Sequence, residues 1–88
     1  MSQLPKVVPL MWIVQQVPYR LSAIHNMSYR KVTWLQMKDV EGRPTTRLHV
    51  NLPLLFSYLI AHGKSESIPR IVKKVLEEDA LVSEMTFK

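Results

Sequence analysis

Apolar positions along this chain keep two rhythms, and prolines mark where one gives way to the other. Residues 7–15 are rich in β-branched and large apolar side chains, which favours a strand or extended arm. Leu10, Val14, Val17, Leu21 and Ile24 also fall on a helical stripe. Pro18 argues against one continuous helix, because its ring would clash with the Val14 carbonyl and its missing N–H would leave that carbonyl unpaired. The pattern predicts an extended arm and then a helix opening at Pro18, where proline is tolerated in the first turn, and running to about His25. A second helix is expected from Ser28, whose hydroxyl can cap the first-turn amides, to about Lys38.

Between these two segments Ala23, Asn26, Met27, Ser28, Val32 and Leu35 occupy, in order, the slots of a helix-turn-helix. They supply a small residue, a turn residue tolerant of left-handed φ, an apolar residue, a cap and two apolar anchors. Asp39 to Gly42 is expected to close the second helix. Arg43 to Val50 alternates weakly and suits a short strand or one arm of a β-hairpin. Asn51 followed by Pro53 is a helix-start signal, with Leu52, Leu55, Phe56, Leu59 and Ile60 at helical spacing up to a stop at His62-Gly63. Ser67 with Pro69 opens a last helix, with Ile68, Ile71, Val72, Val75 and Leu76 on one face and Lys73, Lys74, Glu77 and Glu78 opposite. From Ala80 to Lys88 the tail is apolar but uncapped, which suits either loose order or contact with a neighbouring subunit. The expected fold class is α+β: one domain over 1–88 in the manner of a winged helix-turn-helix, with three to four helices and a short hairpin. Its parts are a helix-turn-helix at 18–38, a wing at 41–51 and C-terminal helices over 52–82.

Eighty-eight residues, 47% of them hydrophobic, suit one small packed domain whose single core gives only a few kcal/mol, so self-association would help it. The absence of cysteine removes disulfides, thiolate nucleophiles and Cys-type zinc sites, and fits a reducing cytoplasm. The apolar run from Val7 to Val14 is too short for a membrane span and lacks a secretory cleavage pattern, so no targeting signal is read. The net charge of +5 is unevenly placed. Residues 1–50 hold seven cations against two acids, whereas residues 51–88 hold five of each. A polyanion would be drawn to the first half and released as salt rises. A basic surface also keeps a small protein soluble, which is the plainer reading of the same charge.

The residues Val17-Pro18-Tyr19, Asn26-Met27-Ser28-Tyr29-Arg30-Lys31-Val32, Glu41-Gly42-Arg43-Pro44 and His49-Val50-Asn51-Leu52-Pro53 follow one another in an order that resembles the excisionase-type winged helix-turn-helix proteins of temperate phages, in particular the Cox and Apl regulators. The likeness spans roughly residues 10–76 and rests on the order of several weak motifs. Asn26 stands where glycine is usual, His25 where an apolar residue is common, and the wing lacks a second glycine-rich turn. The resemblance implies repression of a phage promoter and binding of attachment-site DNA to direct excision. It also implies cooperative assembly, DNA bending, a phage integrase as a further partner, and residence in the cytoplasm of a bacterial host.

On a recognition helix beginning at Ser28, Tyr29, Arg30 and Thr33 would lie nearest the bases, with Gln36 farther along. Arg30 could pair with guanine and Gln36 with adenine. Ser28, Lys31 and Lys38 are placed for phosphates, and Arg43, Thr45, Thr46 and Arg47 for the wing. Trp34 is expected in the core, and Tyr29 is open between packing and DNA. His25, His49 and His62 lack metal-ligand spacing, and neither a nucleophile with a base nor a phosphate-cradling loop is evident, so no enzyme, cofactor or metal is expected. The expected partners are double-stranded DNA and further copies of the chain through its C-terminal segment, with no membrane. The alternative is a small phage or plasmid protein that binds a host protein through its apolar C-terminal half.

Overall fold

The computed structural model describes the backbone of residues 4–86 and the side chains of residues 4–83. The chain leaves an extended N-terminal segment into β1 (Val7–Pro9), then α1 (Leu10–Ile13), α2 (Leu21–Tyr29), β2 (Leu35–Lys38), β3 (Pro44–Asn51), α3 (Leu52–Ala61), a 3-10 turn (Ser65–Ser67) and α4 (Ile68–Thr86). Three antiparallel strands form one sheet in the order β1-β3-β2, with Val8 opposite Val50 and Leu35 opposite Val50 on the other side. This is a small α+β domain with four α-helices among the described residues.

Pro18 separates two helices, which corrects two expectations: the arm expected over 7–15 turns helical at Leu10, and the next helix does not open at Pro18. The first is the single turn α1, prolonged by the Val17 amide donating to the Ile13 carbonyl at 3.1 Å. Pro18 lies in the bend that follows, and α2 begins at Leu21 behind an extended Arg20. Asn26 is then an interior helical residue, and Ser28 sits in the last turn of α2, so neither the turn at Asn26 nor the cap at Ser28 exists. The helix expected over 28–38 is replaced by the end of α2, a loop and β2.

The reversal falls five residues later than expected, at Lys31, which takes φ +56°. The Val32 amide donates to the Met27 carbonyl at 3.1 Å and the Lys31 amide to the Ser28 carbonyl at 3.0 Å. Those two bonds make a Schellman motif, in which one left-handed residue satisfies the orphan carbonyls of a helix end. Val32 and Met27, the pair whose apolar contact accompanies such a motif, both pack against the core. Lysine pays a steric cost there that glycine does not. Beyond it, Val32-Thr33-Trp34-Leu35 is a β-branched and aromatic run, which favours the pleated surface over a helix.

The C-terminal half follows its sequence signals. Asn51 caps α3 by accepting the Leu54 amide at 3.1 Å, and Pro53 sits in the first turn. The stop at His62-Gly63 is a second Schellman motif, with Gly63 at φ +70° and the Lys64 amide donating to the Leu59 carbonyl at 2.8 Å. The last helix opens at Ile68 and continues to Thr86, so loose order from Ala80 onward is corrected to helix as far as Thr86, with residues 87 and 88 outside the described part.

The core is drawn from every layer. Val8 and Val50 come from the sheet, Ile13 from α1, Ile24 from α2, Leu52, Leu55 and Leu59 from α3, and Ile71 and Val75 from α4. Trp34, fully buried as expected of a large aromatic, lies in the loop before β2 with its ring centroid 6.5 Å from Tyr19 and 5.9 Å from Tyr58. Its carbonyl accepts the Asn51 amide at 2.9 Å, so one residue joins the α2–β2 loop to the start of α3. Burial, and secondarily Tyr58, pushes the Tyr19 hydroxyl above its ordinary pKa.

Two opposite changes test the helix ends. Lys31→Gly relieves left-handed strain and should raise stability to urea by about 0.5–1 kcal/mol net of glycine's backbone entropy. Gly63→Ala meets no neighbouring atom within 4 Å, so only the positive φ opposes it, and it should lower stability by about 1 kcal/mol. Destabilisation by Lys31→Gly would show that α2 does not end in this way.

Candidate nucleic-acid interface

Helix α2 is amphipathic across a narrow seam. Ile24 is buried and Ala23, Met27 and Ser28 are half-buried, while Leu21, Ser22, His25, Asn26 and Tyr29 face outward. That outward set repeats at four-residue intervals, so it forms one continuous stripe. Arg20 precedes the stripe and Arg30 and Lys31 follow it, and none of the three forms an ion pair among the described residues. The helix therefore carries polar groups able to read base edges between two cationic ends.

The β2–β3 hairpin lies against the same helix. A depression of about 380 Å³ is shared by His25, Ser28 and Tyr29 of α2 with Met37 of β2 and Thr46 and Leu48 of β3. The hairpin itself is irregular: Gln36 pairs with His49 but Lys38 pairs with Pro44, so β2 advances two residues while β3 advances five. The surplus falls in residues 45–48, where the strand must bulge, and bulges re-aim side chains at sheet edges and functional sites. Thr46 and Arg47 are exposed there, and Arg47 forms no ion pair among the described residues.

At the hairpin tip, Asp39 organises the chain. Its carboxylate accepts the Glu41 and Arg43 amides at 2.9 Å each, the Gly42 amide donates to the Asp39 carbonyl at 3.0 Å, and Gly42 takes φ +80°. This is a type I turn closed by a left-handed glycine, a common hairpin solution. The Arg43 amide above all, then the Glu41 amide and the Arg43 guanidinium, hold the Asp39 carboxyl below its ordinary pKa, against the opposing effect of desolvation. Arg43 is committed to the tip, with its guanidinium 3.3 Å from Asp39 and 2.6 Å from Glu41.

The residues expected to contact DNA are accordingly scattered in role. Ser28, Tyr29 and Thr46 come together around one depression, and Arg47 borders the next. Tyr29 is 87% exposed, the most open of the large hydrophobic side chains among the described residues, which rules out a packing role within the domain. Arg30 and Lys31 are exposed but sit past the end of α2, not at the start of a helix. Thr33 lies in the loop, Gln36 donates from Nε2 to the Lys38 carbonyl at 2.9 Å on its own strand, and Lys38 is exposed at the end of β2. Thr45 Oγ1 accepts the Arg47 amide at 3.3 Å and so shapes the bulge. Arg20, Ser22, His25 and Asn26, which the sequence reading did not place at the interface, are exposed on this side, and the apolar spacing of Ala23, Ile24 and Met27 already left the three helical ones on the opposite face.

Comparisons with family models, with curated proteins and with solved structures returned no match. Among the described residues no helix is long and apolar enough to cross a membrane, and no group of three or more His, Asp or Glu side chains converges.

The Asp39 arrangement has a pH consequence with a definite sign. A carboxyl whose pKa is lowered on folding supports the turn above its unfolded value, and that support disappears as pH falls through the folded value. The Glu41 and Arg43 amide resonances should therefore titrate with a midpoint below about 4, the ordinary aspartate value, and Asp39→Asn should abolish the transition. A midpoint at or above that value would contradict the hydrogen-bonded turn.

Proposed function

We infer that this chain is a sequence-specific double-stranded DNA-binding regulator built as a winged helix-turn-helix, with α1 and α2 as the paired helices and the β2–β3 hairpin as the wing. The observation that carries this reading is the outward stripe of α2, open to solvent, cationic at both ends and flanked by the Arg47 bulge. A recognition helix reads base edges mainly with its N-terminal residues, here Ser22, and the same outward face continues through His25 and Asn26 at mid-helix. Asn26 can contact adenine N6 and N7 with both atoms of its amide. Arg20, Arg30, Lys31 and Arg47 serve phosphates, and Lys38 extends the basic surface along the hairpin. The acids at the hairpin tip would repel a phosphate, so contact falls on the strand residues behind the tip.

The resemblance to excisionase-type regulators extends this reading to promoter repression and to excision directed by binding and bending attachment-site DNA. Assembly of several copies through α4, and cooperation with a phage integrase, belong to the same proposal. A second reading, in which the C-terminal half binds a host protein, is favoured by the exposure of Leu54, Ile60, Leu76, Leu81 and Val82 on α3 and α4. Protein-only binding would be insensitive to salt, whereas phosphate binding weakens steeply as salt rises.

Quantitative mobility-shift titrations on selected operator DNA separate the two. Asn26→Ala should cost about 1–3 kcal/mol of preference for the selected sequence, with little loss on random duplex. Arg30→Ala and Lys31→Ala should each weaken binding on all sequences and reduce the salt slope by about one. Full-strength, salt-insensitive retention, or unchanged selectivity in Asn26→Ala, would reject α2 as the recognition helix.

A further inference from the structure

We propose a second interaction surface: a trough across α1 that receives an acidic peptide segment of a partner protein, anchored by large apolar side chains. The proposal does not rest on the DNA-binding reading. Helix α1 packs between α4 and β3, and depressions open on both of its sides. The larger, of about 430 Å³, is lined by apolar side chains of α1 together with Leu21, Leu48 and Arg47. The smaller, of about 170 Å³, lies toward Lys74 and Glu78 of α4, and the two share Met11, Trp12 and Val14 as a common wall. A third depression, of about 330 Å³, continues along α4 past Gln16 to Arg70 and Lys73.

The chemistry of this surface is segregated. On the Arg47 side it is apolar, with Met11 73% exposed and Leu21 54% exposed, which is costly area to leave in water unless something covers it, while the depression toward α4 adds the polar side chains Gln15, Gln16, Lys74 and Glu78. Methionine adapts its shape to varied apolar partners. Arg47 stands at one end and Arg70, Lys73 and Lys74 at the other, against only Glu77 and Glu78. Arg47, Arg70 and Lys73 form no ion pair among the described residues, and Lys74 reaches Glu78 only at 3.8 Å. An apolar stretch with Arg47 at one end and Arg70 and Lys73 beyond the other complements a segment with apolar anchors flanked by carboxylates. A single-stranded nucleic acid would instead need successive aromatic faces, and Trp12 is the one aromatic ring along these walls. Crossing a helix and reaching the neighbouring elements spans roughly 20 Å, which suits three to four turns of a bound helix.

Trp12 supplies the readout, because Trp34 is fully buried and insensitive to the surface. The full chain is titrated with an amphipathic peptide of about 15 residues containing only Leu, Ala and Glu, with Leu on one helical face. Expected is a saturable change in tryptophan fluorescence that Trp12→Phe removes, with affinity lowered about tenfold or more by Met11→Asp and by Lys73→Glu. Each variant is checked for an unchanged circular dichroism spectrum, and all three positions lie outside the fully buried core. No saturable response, equal binding of a Leu/Ala/Lys peptide, or unchanged affinity in both charge variants would overturn the proposal. So would stronger response to oligothymidylate, or self-association of the free protein that Met11→Asp abolishes, since the trough would then serve a nucleic acid or a second copy. Asn26→Ala keeps the two readings apart: it lies outside the trough and should leave peptide binding intact whatever happens to DNA binding.

Discussion

The burial of Trp34 is the constraint on which the arrangement depends. A residue in a loop, not in a helix or strand, occupies the centre of a small core, between Tyr19 ahead of α2 and Tyr58 on α3. Its ring fills a volume that no smaller side chain could, and truncating a core tryptophan typically costs about 3–5 kcal/mol. Because its carbonyl also holds the Asn51 amide, the same residue sets where β3 ends and α3 begins. With Trp34 fixed inward, the chain must leave α2 by a tight reversal, and Lys31 supplies it in a left-handed conformation despite its side chain.

That reversal explains why half of the architecture was legible in the sequence and half was not. Residues 51–76 announce themselves by a capping asparagine, two early prolines, a left-handed glycine and long apolar stripes, and each signal has one physical outcome. Pro18 likewise excluded one continuous helix, although the helix after it opens three residues later, at Leu21. The segment from Leu21 to Lys38 carries no such punctuation: the reversal uses lysine where glycine is expected, while Asn26 and Ser28 resemble turn and cap residues but lie inside a helix. Val32 and Leu35 fit a helical period as well as a strand, and only the β-branched and aromatic run around Trp34 favoured the strand. A shift of one element moved the candidate site from Ser28–Lys38 to the face of α2.

The consequence for the site is a redistribution of roles. Arg43, which a wing reading places on DNA, is held by Asp39 and Glu41 and stiffens the hairpin tip. Arg47, five residues from the end of the turn's Gly42, is projected by a bulge and left free of ion pairs among the described residues. Thr45 keeps a local function by accepting the Arg47 amide, and Gln36 satisfies its own strand. The surplus positive charge of residues 1–50 is thus concentrated at the ends of α2 and on the strand behind the tip, while the acids gather at the tip and on the part of α4 beyond Lys74. Met11 and Leu21 add an apolar border to the same side of the molecule.

The proposed contact of the outer face of α2 with DNA is tested by the map of amide chemical-shift changes when short duplex DNA is added to the labelled protein at low salt. The changes are predicted to concentrate on residues 20–31 and 45–48 and to collapse as salt is raised. Changes centred on α3 and α4, or none at a DNA concentration that saturates retention, would contradict it.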